Sequence, residues 1–179
     1  MPCLWRNNYS LHIRGEDERR VVWSVKKEDE LVFGAGGDIT QAGSDTQYLH
    51  TVDAQWQSPK GCSAYLAYLA RYIDASAGNA YDWGLLAQAA YLFQPKLEGF
   101  VRYDFVKLDG DVVFPTGGSE DTFHEFTIGM NYYVYGHGAK FTVDASYLPN
   151  GSPSDEVGLG ELGGSDAQFV VRAQFQLAL

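Results

Sequence analysis

Eight charged side chains sit in stretches that alternate polar and apolar residues: Asp53, Arg71, Arg102, Asp104, Glu125, Lys140, Asp144 and Arg172. Successive side chains of a β-strand point to opposite faces, so charges at these positions share a face with their Thr, Ser, Gln and Gly neighbours. Four are bases and four are acids, so their sum is near zero. Lining a water-filled lumen, opposed charges impose a transverse field and bias which ions pass, as rings of charged side chains do in other pores. The plainer reading is that they pair across neighbouring strands and keep a wall hydrated. Both readings place the eight residues on an inward face, and neither gives them a catalytic or metal-binding role.

Other chemistry is poorly supported. His12, His50, His124 and His137 are dispersed, and no Ser, His and Asp grouping has the strand-turn-helix setting of a nucleophile elbow. The run GAGGD at 34–38 lies inside a strand pattern, without the helix that a dinucleotide site needs. Segments 109–121 and 150–166 hold eight acidic residues and no base, but their spacing is not that of an EF-hand. They read either as a negatively charged mouth that concentrates cations or bridges divalent ions to lipopolysaccharide, or as solvated loops. Cys3 and Cys62 are too few for a disulfide framework. No enzymatic activity and no cofactor is expected. A net charge of −10 without a basic stripe argues against nucleic acid.

The elements that hold these residues are strands. Mean hydropathy is −0.24 and no run approaches the roughly 18 to 20 apolar residues of a membrane helix. Twelve Tyr, ten Phe, four Trp and twenty Gly beside six Pro suit strands joined by Gly-rich turns. Period-2 alternation marks nine segments, near 20–25, 30–39, 46–57, 62–74, 82–93, 98–108, 122–134, 139–148 and 167–179, with a weak tenth at 9–14. Short connections (KKED, SPKG, QPKL, GH) alternate with longer ones (TQAGSD, SAGNAY, DGDVVFPTGGSED, NGSPSDEVGLGELGGS). Outer-membrane barrels alternate periplasmic turns and extracellular loops in this way.

A two-residue turn at Gly136-His137 predicts Tyr135 opposite Gly138, and hence pairs whose numbers sum to a constant. Phe126 then opposes Tyr147, Ile128 Ala145, Met130 Val143 and Tyr132 Phe141, an apolar face. Thr127 opposes Ser146, Gly129 Asp144, Asn131 Thr142 and Tyr133 Lys140, a mostly polar one. On the apolar face Tyr48 and Trp56, Trp83 and Tyr91, and Phe141 and Tyr147 lie near opposite strand ends, as aromatic girdles do. In the last segment Phe169, Val171, Ala173, Phe175, Leu177 and Leu179 face one way, and Gln168, Arg172, Gln174 and Gln176 the other. Leu179 stands where such closing strands most often carry Phe.

QAAYLFQPKLEGFVRYDF, FTIGMNYYVYGHGAKFTVDASYL and FVVRAQFQLAL together resemble the C-terminal part of the phosphate-selective porin O/P family. The resemblance covers the chain from Gln88 onward, and GMNYYVYGHGAKFTVDASY, similar to the family's penultimate hairpin, is its most specific element. It implies an all-β fold: a transmembrane antiparallel up-and-down β-barrel of sixteen strands, of which nine are present here. Residues 1–19 are then an irregular N-terminal segment and 20–179 the C-terminal part of the barrel. It implies passive diffusion of small hydrophilic solutes or anions, often through a homotrimer in the bacterial outer membrane. Lipid and lipopolysaccharide are the expected surroundings, and the strand ending at Leu179 is the expected contact with the barrel-assembly machinery. An odd strand number and the absence of a basic-plus-apolar leader in MPCLWRNNYSLHIRGE lead to the expectation of a fragment or truncated reading frame. The inward charges form no Arg and Lys ladder of the kind phosphate requires. A non-conducting small barrel, acting as an anchor or surface-interaction module, is the alternative, and a soluble sandwich a third possibility.

Overall fold

A computed structural model describes residues 29–76, 78–113, 119–135, 138–152 and 164–177. Within them the chain forms eight strands: β1 (Glu30–Ala42), β2 (Asp45–Gln57), β3 (Cys62–Ala75), β4 (Gly78–Gln94), β5 (Leu97–Val113), β6 (Ser119–Tyr135), β7 (Ala139–Leu148) and β8 (Gln168–Leu177). They pair antiparallel in chain order within one up-and-down sheet, and the described residues contain no helix. The segments expected near 9–14 and 20–25, residues 178–179 of the last one, His12 and His137 lie outside the described residues.

Local chemistry sets the hairpins. Ala42 pairs with Asp45, leaving a two-residue turn whose first member, Gly43, has φ 65°. Glycine supplies that backbone angle without a Cβ clash, and such turns match the right-handed twist of the flanking strands. Between β2 and β3, Gly61 N donates to Ser58 O at 3.0 Å, with Pro59 fixing the first turn torsion and Gly61 at φ 82°. At the β6–β7 turn Gly138 N donates to Tyr135 O at 3.0 Å. Eight of the pairs expected from that turn form, from Phe126 with Tyr147 to Tyr133 with Lys140, but the pair next to the turn, Tyr135 with Gly138, does not. The register then slips by one, and Tyr135 pairs with Ala139.

The connections differ from expectation. TQAGSD and SAGNAY are mostly strand, and much of DGDVVFPTGGSED continues the β5–β6 ladder, with Val112 opposite Glu120 and Val113 opposite Ser119 after an irregularity. Polar side chains disguised this. Alternation of apolar residues reports the medium around a strand, whereas the ladder is made by backbone amides and carbonyls that are indifferent to it. The strands therefore extend past the point where their apolar face ends.

Following the pairs across the sheet separates two faces. One carries Gly34, Asp53, Ala67, Leu86, Asp104 and Glu125; the other carries Ala54, Leu66, Ala87, Tyr103, Phe126, Tyr147 and Phe169. Most buried residues belong to the first, including Ala67, Phe123, Thr127, Asn131, Tyr133, Ser146, Leu148 and Val170. Crowding on one face is what a sheet curled toward that face produces. Close packing here is specific at Gly129, where a Cβ would overlap the Phe100 ring and lie 2.9 Å from Asp144 Cβ. Gly129→Ala is expected to destabilise the fold by about 1 to 3 kcal/mol through overpacking, read as a lower urea midpoint. The edges of the described sheet are β1 and β8.

Candidate functional site

The pairings put all eight expected residues, Asp53, Arg71, Arg102, Asp104, Glu125, Lys140, Asp144 and Arg172, on the polar face. Five of them converge. Asp104 lies opposite Glu125 on β5 and β6, and Asp144 opposite Arg172 on β7 and β8. Glu125 Oε1 accepts from Arg172 Nη2 at 2.9 Å, Arg102 Nη2 at 3.2 Å, Ser146 Oγ at 2.6 Å and Thr127 Oγ1 at 2.9 Å. Arg102 Nε donates to Asp104 Oδ2 at 2.7 Å, and Arg172 Nε to Asp144 Oδ1 at 3.0 Å. Each guanidinium thus spends one edge on its own carboxylate and one nitrogen on the shared oxygen. Glu125 ties four strands together through charge-assisted bonds.

The remaining three stand apart. Arg71 forms an ion pair with Asp82 across β3 and β4, its Nε 2.9 Å from Asp82 Oδ2. Among the described residues Asp53 and Lys140 make no ion pair; Asp53 faces Gly34, and Lys140 faces Tyr133 and Gln176. A second hydrogen-bonded group lies near the opposite rim, where Glu98 Oε1 accepts from Asn131 Nδ2 at 2.7 Å and Tyr133 OH at 3.0 Å. Thr142 Oγ1 then donates to Asn131 Oδ1 at 2.7 Å.

The charge balance of this face is not the neutral sum expected. Among the described residues away from the turns, the pairings add Glu30, Asp38, Asp82 and Glu98 and no base, so acids exceed bases there by four. Glu30 and Glu98 lie at strand starts and Asp38 in a glycine-rich run, whereas alternation itself places Asp82, next to Trp83 of the apolar face, on the polar one, and the neutral sum leaves it out. The pairing of Arg71 with Asp82 follows from the tight β3–β4 hairpin, so its position would have revealed it. Thr127 and Ser146, opposed as the β6–β7 turn predicts, share a hydrogen bond of 2.7 Å between their hydroxyls.

The opposite face is apolar and exposed. Phe33, Ile39, Val52, Leu66, Val101, Ile128, Met130, Val143, Phe169, Val171 and Phe175 all present large side chains outward, Ile128 at 65% and Phe169 at 70% of full exposure. On β5 to β8 the row Tyr103, Phe126, Tyr147, Phe169 and the row Tyr132, Phe141, Phe175 bracket rows of Val, Ile, Met and Ala. The upper aromatic belt climbs diagonally across the strands. Ring contacts join Tyr48 to Tyr72 at 6.1 Å, Tyr68 to Trp83 at 6.1 Å, Trp83 to Phe105 at 5.0 Å and Tyr103 to Phe126 at 4.9 Å. The hydrogen-bonded row through Phe169 meets β2 at Ala54, six residues from Tyr48 and six strands away. At about 3.3 Å per residue and about 4.8 Å per strand, a level belt then requires strands tilted by about 35°. That is within the roughly 35 to 45° of membrane barrels.

Among the described residues no group of three or more His, Cys, Asp or Glu is placed to hold a metal ion. Comparison with known proteins finds no matching family model, no similar curated protein and no similar solved structure.

Proposed function

We propose that this sheet is part of the wall of a bacterial outer-membrane β-barrel through which small hydrophilic solutes and ions diffuse passively. The observation that carries the reading is the two-faced sheet. One face leaves Ile128, Met130 and Val171 more than half exposed between two aromatic rows, while the other concentrates ion pairs and hydrogen bonds. In water the first face would be a large apolar patch of the kind that drives association; in lipid it needs no cover. The tilt demanded by a level aromatic belt supports the same reading, as does the sequence resemblance to phosphate-selective porins. On this reading lipid and lipopolysaccharide contact the apolar face.

The excess of acids on the polar face favours cations over the anions that the resemblance implies, because field lines from the wall concentrate counter-ions in the lumen. The complete protein, refolded in detergent and placed in planar bilayers, is expected to give step conductances. Under a potassium chloride gradient its reversal potential is expected on the cation side. No conductance at any voltage would overturn the pore, and an anion-side potential would overturn the selectivity alone. A chain that inserts without conducting would instead be a narrow anchor barrel whose charges are pinned by their own pairs.

A further inference from the structure

The polar face is not polar throughout. Leu49, Leu69 and Val106 expose 39%, 52% and 38% of their surfaces on it, and Leu86 joins them. The pairings make these four a single patch across β2 to β5. Leu69 opposes Gly84, which in turn opposes Val106; Leu49 lies beside Leu69 on the diagonal, opposite Arg71; Leu86 follows Gly84 along β4. Gly36, opposite Thr51, and Gly84 add no side chain to the floor. The result is a concavity of about 630 Å³. Exposed aliphatic area costs about 25 cal/mol per Å² in water, and a wall that met only ions would have no use for it.

The margins are charged and unequal. The Arg71–Asp82 pair closes one end, and Asp104, held by Arg102, closes the other. Asp38 lines the same hollow and receives a hydrogen bond from Thr40 Oγ1 at 3.0 Å, with no cation paired to it among the described residues. Small-molecule sites combine a mostly apolar lining of this volume with a few polar groups that orient the ligand. We propose that the hollow between Asp38 and Asp104 is a binding subsite for a small organic cation with an aliphatic or aromatic body, the body lying on Leu49, Leu69, Leu86 and Val106 and the charge toward Asp38. The assignment rests on the pore reading in one respect, that this face meets water.

Benzyltrimethylammonium is the probe, with benzenesulfonate as the anion of similar size. In bilayers the cation is expected to block the conductance of the complete protein at lower concentration than the anion, and both L69T and D38N are expected to weaken that block about fivefold. Loss of a buried methyl-sized contact or of one charge attraction corresponds to that factor. Conductance with equal block by both ions, or with block unchanged in the two variants, overturns the subsite and leaves the pore standing. If no conductance is seen, the pore reading fails and titration calorimetry on the detergent-refolded chain decides the subsite. Saturable binding weakened about fivefold in L69T and in D38N supports it, and heat that does not saturate, or is unchanged in either variant, overturns it.

Discussion

Replacing Ile128 by Arg is expected to lower the stability of the membrane-inserted chain by about 2 to 4 kcal/mol, the cost of an Arg on the lipid face near the bilayer midplane. Ile128 lies between the two aromatic rows and is 65% exposed. The same exposure makes the substitution discriminating. On a sheet bathed in water an exposed Ile to Arg change would shift stability by less than about 0.5 kcal/mol, and it would improve solubility. Gln174→Arg is the matched control, since Gln174 is exposed on the polar face, opposite Thr142. Refolding into lipid vesicles, followed by urea titration, should separate the two variants clearly. Equal midpoints for I128R and the parent chain would remove the lipid from the picture and leave a soluble sheet in its place.

Glu125→Ala is expected to have the second large effect, and on two observables. Its carboxylate receives both Arg102 and Arg172 as well as two hydroxyls, with 17% of the side chain exposed. Deleting one partner of a fully buried pair costs roughly 3 to 5 kcal/mol. Here Asp104 and Asp144 still hold the two guanidinium groups, and each Arg side chain is 28% exposed, so about 2 kcal/mol is expected. The second observable is selectivity. Removing one negative charge from a face with four surplus acids, and releasing a nitrogen of each arginine, should move the reversal potential toward anions. Glu125→Gln keeps an acceptor for Ser146 and Thr127, so it should recover much of the stability while retaining the selectivity shift. If both variants matched the parent in reversal potential, the cluster would be a brace between strands and would have no part in ion preference.

The β6–β7 hairpin shows how far local reading reaches. A tight turn at Gly136-His137 and strict alternation on either side were enough to derive eight cross-strand pairs that form, though not the pair beside the turn. Alternation has a period of two and a hairpin pins one pair, so no long-range information was needed. The longer-looking connections were misjudged for a related reason. Residues such as Thr40, Gln41, Asn79 and Glu120 are polar, yet their backbones continue the ladder beyond the apolar band.

Sequence alone determined the all-β class, the antiparallel order of neighbouring strands, the segregation of faces, and the placement of Asp53, Arg71, Arg102, Asp104, Glu125, Lys140, Asp144 and Arg172 together on one of them. Each of these follows from side-chain direction along an extended chain. Only the tertiary structure decided which of those charges meet. Arg172 and Glu125 lie 47 residues apart in the chain and reach each other across β7, with Ser146 between them, a meeting that depends on two successive registers. The registers of β2 to β5 likewise gathered Leu49, Leu69, Leu86 and Val106 into one hollow, and those of β5 to β8 set the aromatic residues in rows on the other face. Pair identity within a strand is local, but coincidence across several strands is a property of the assembled sheet.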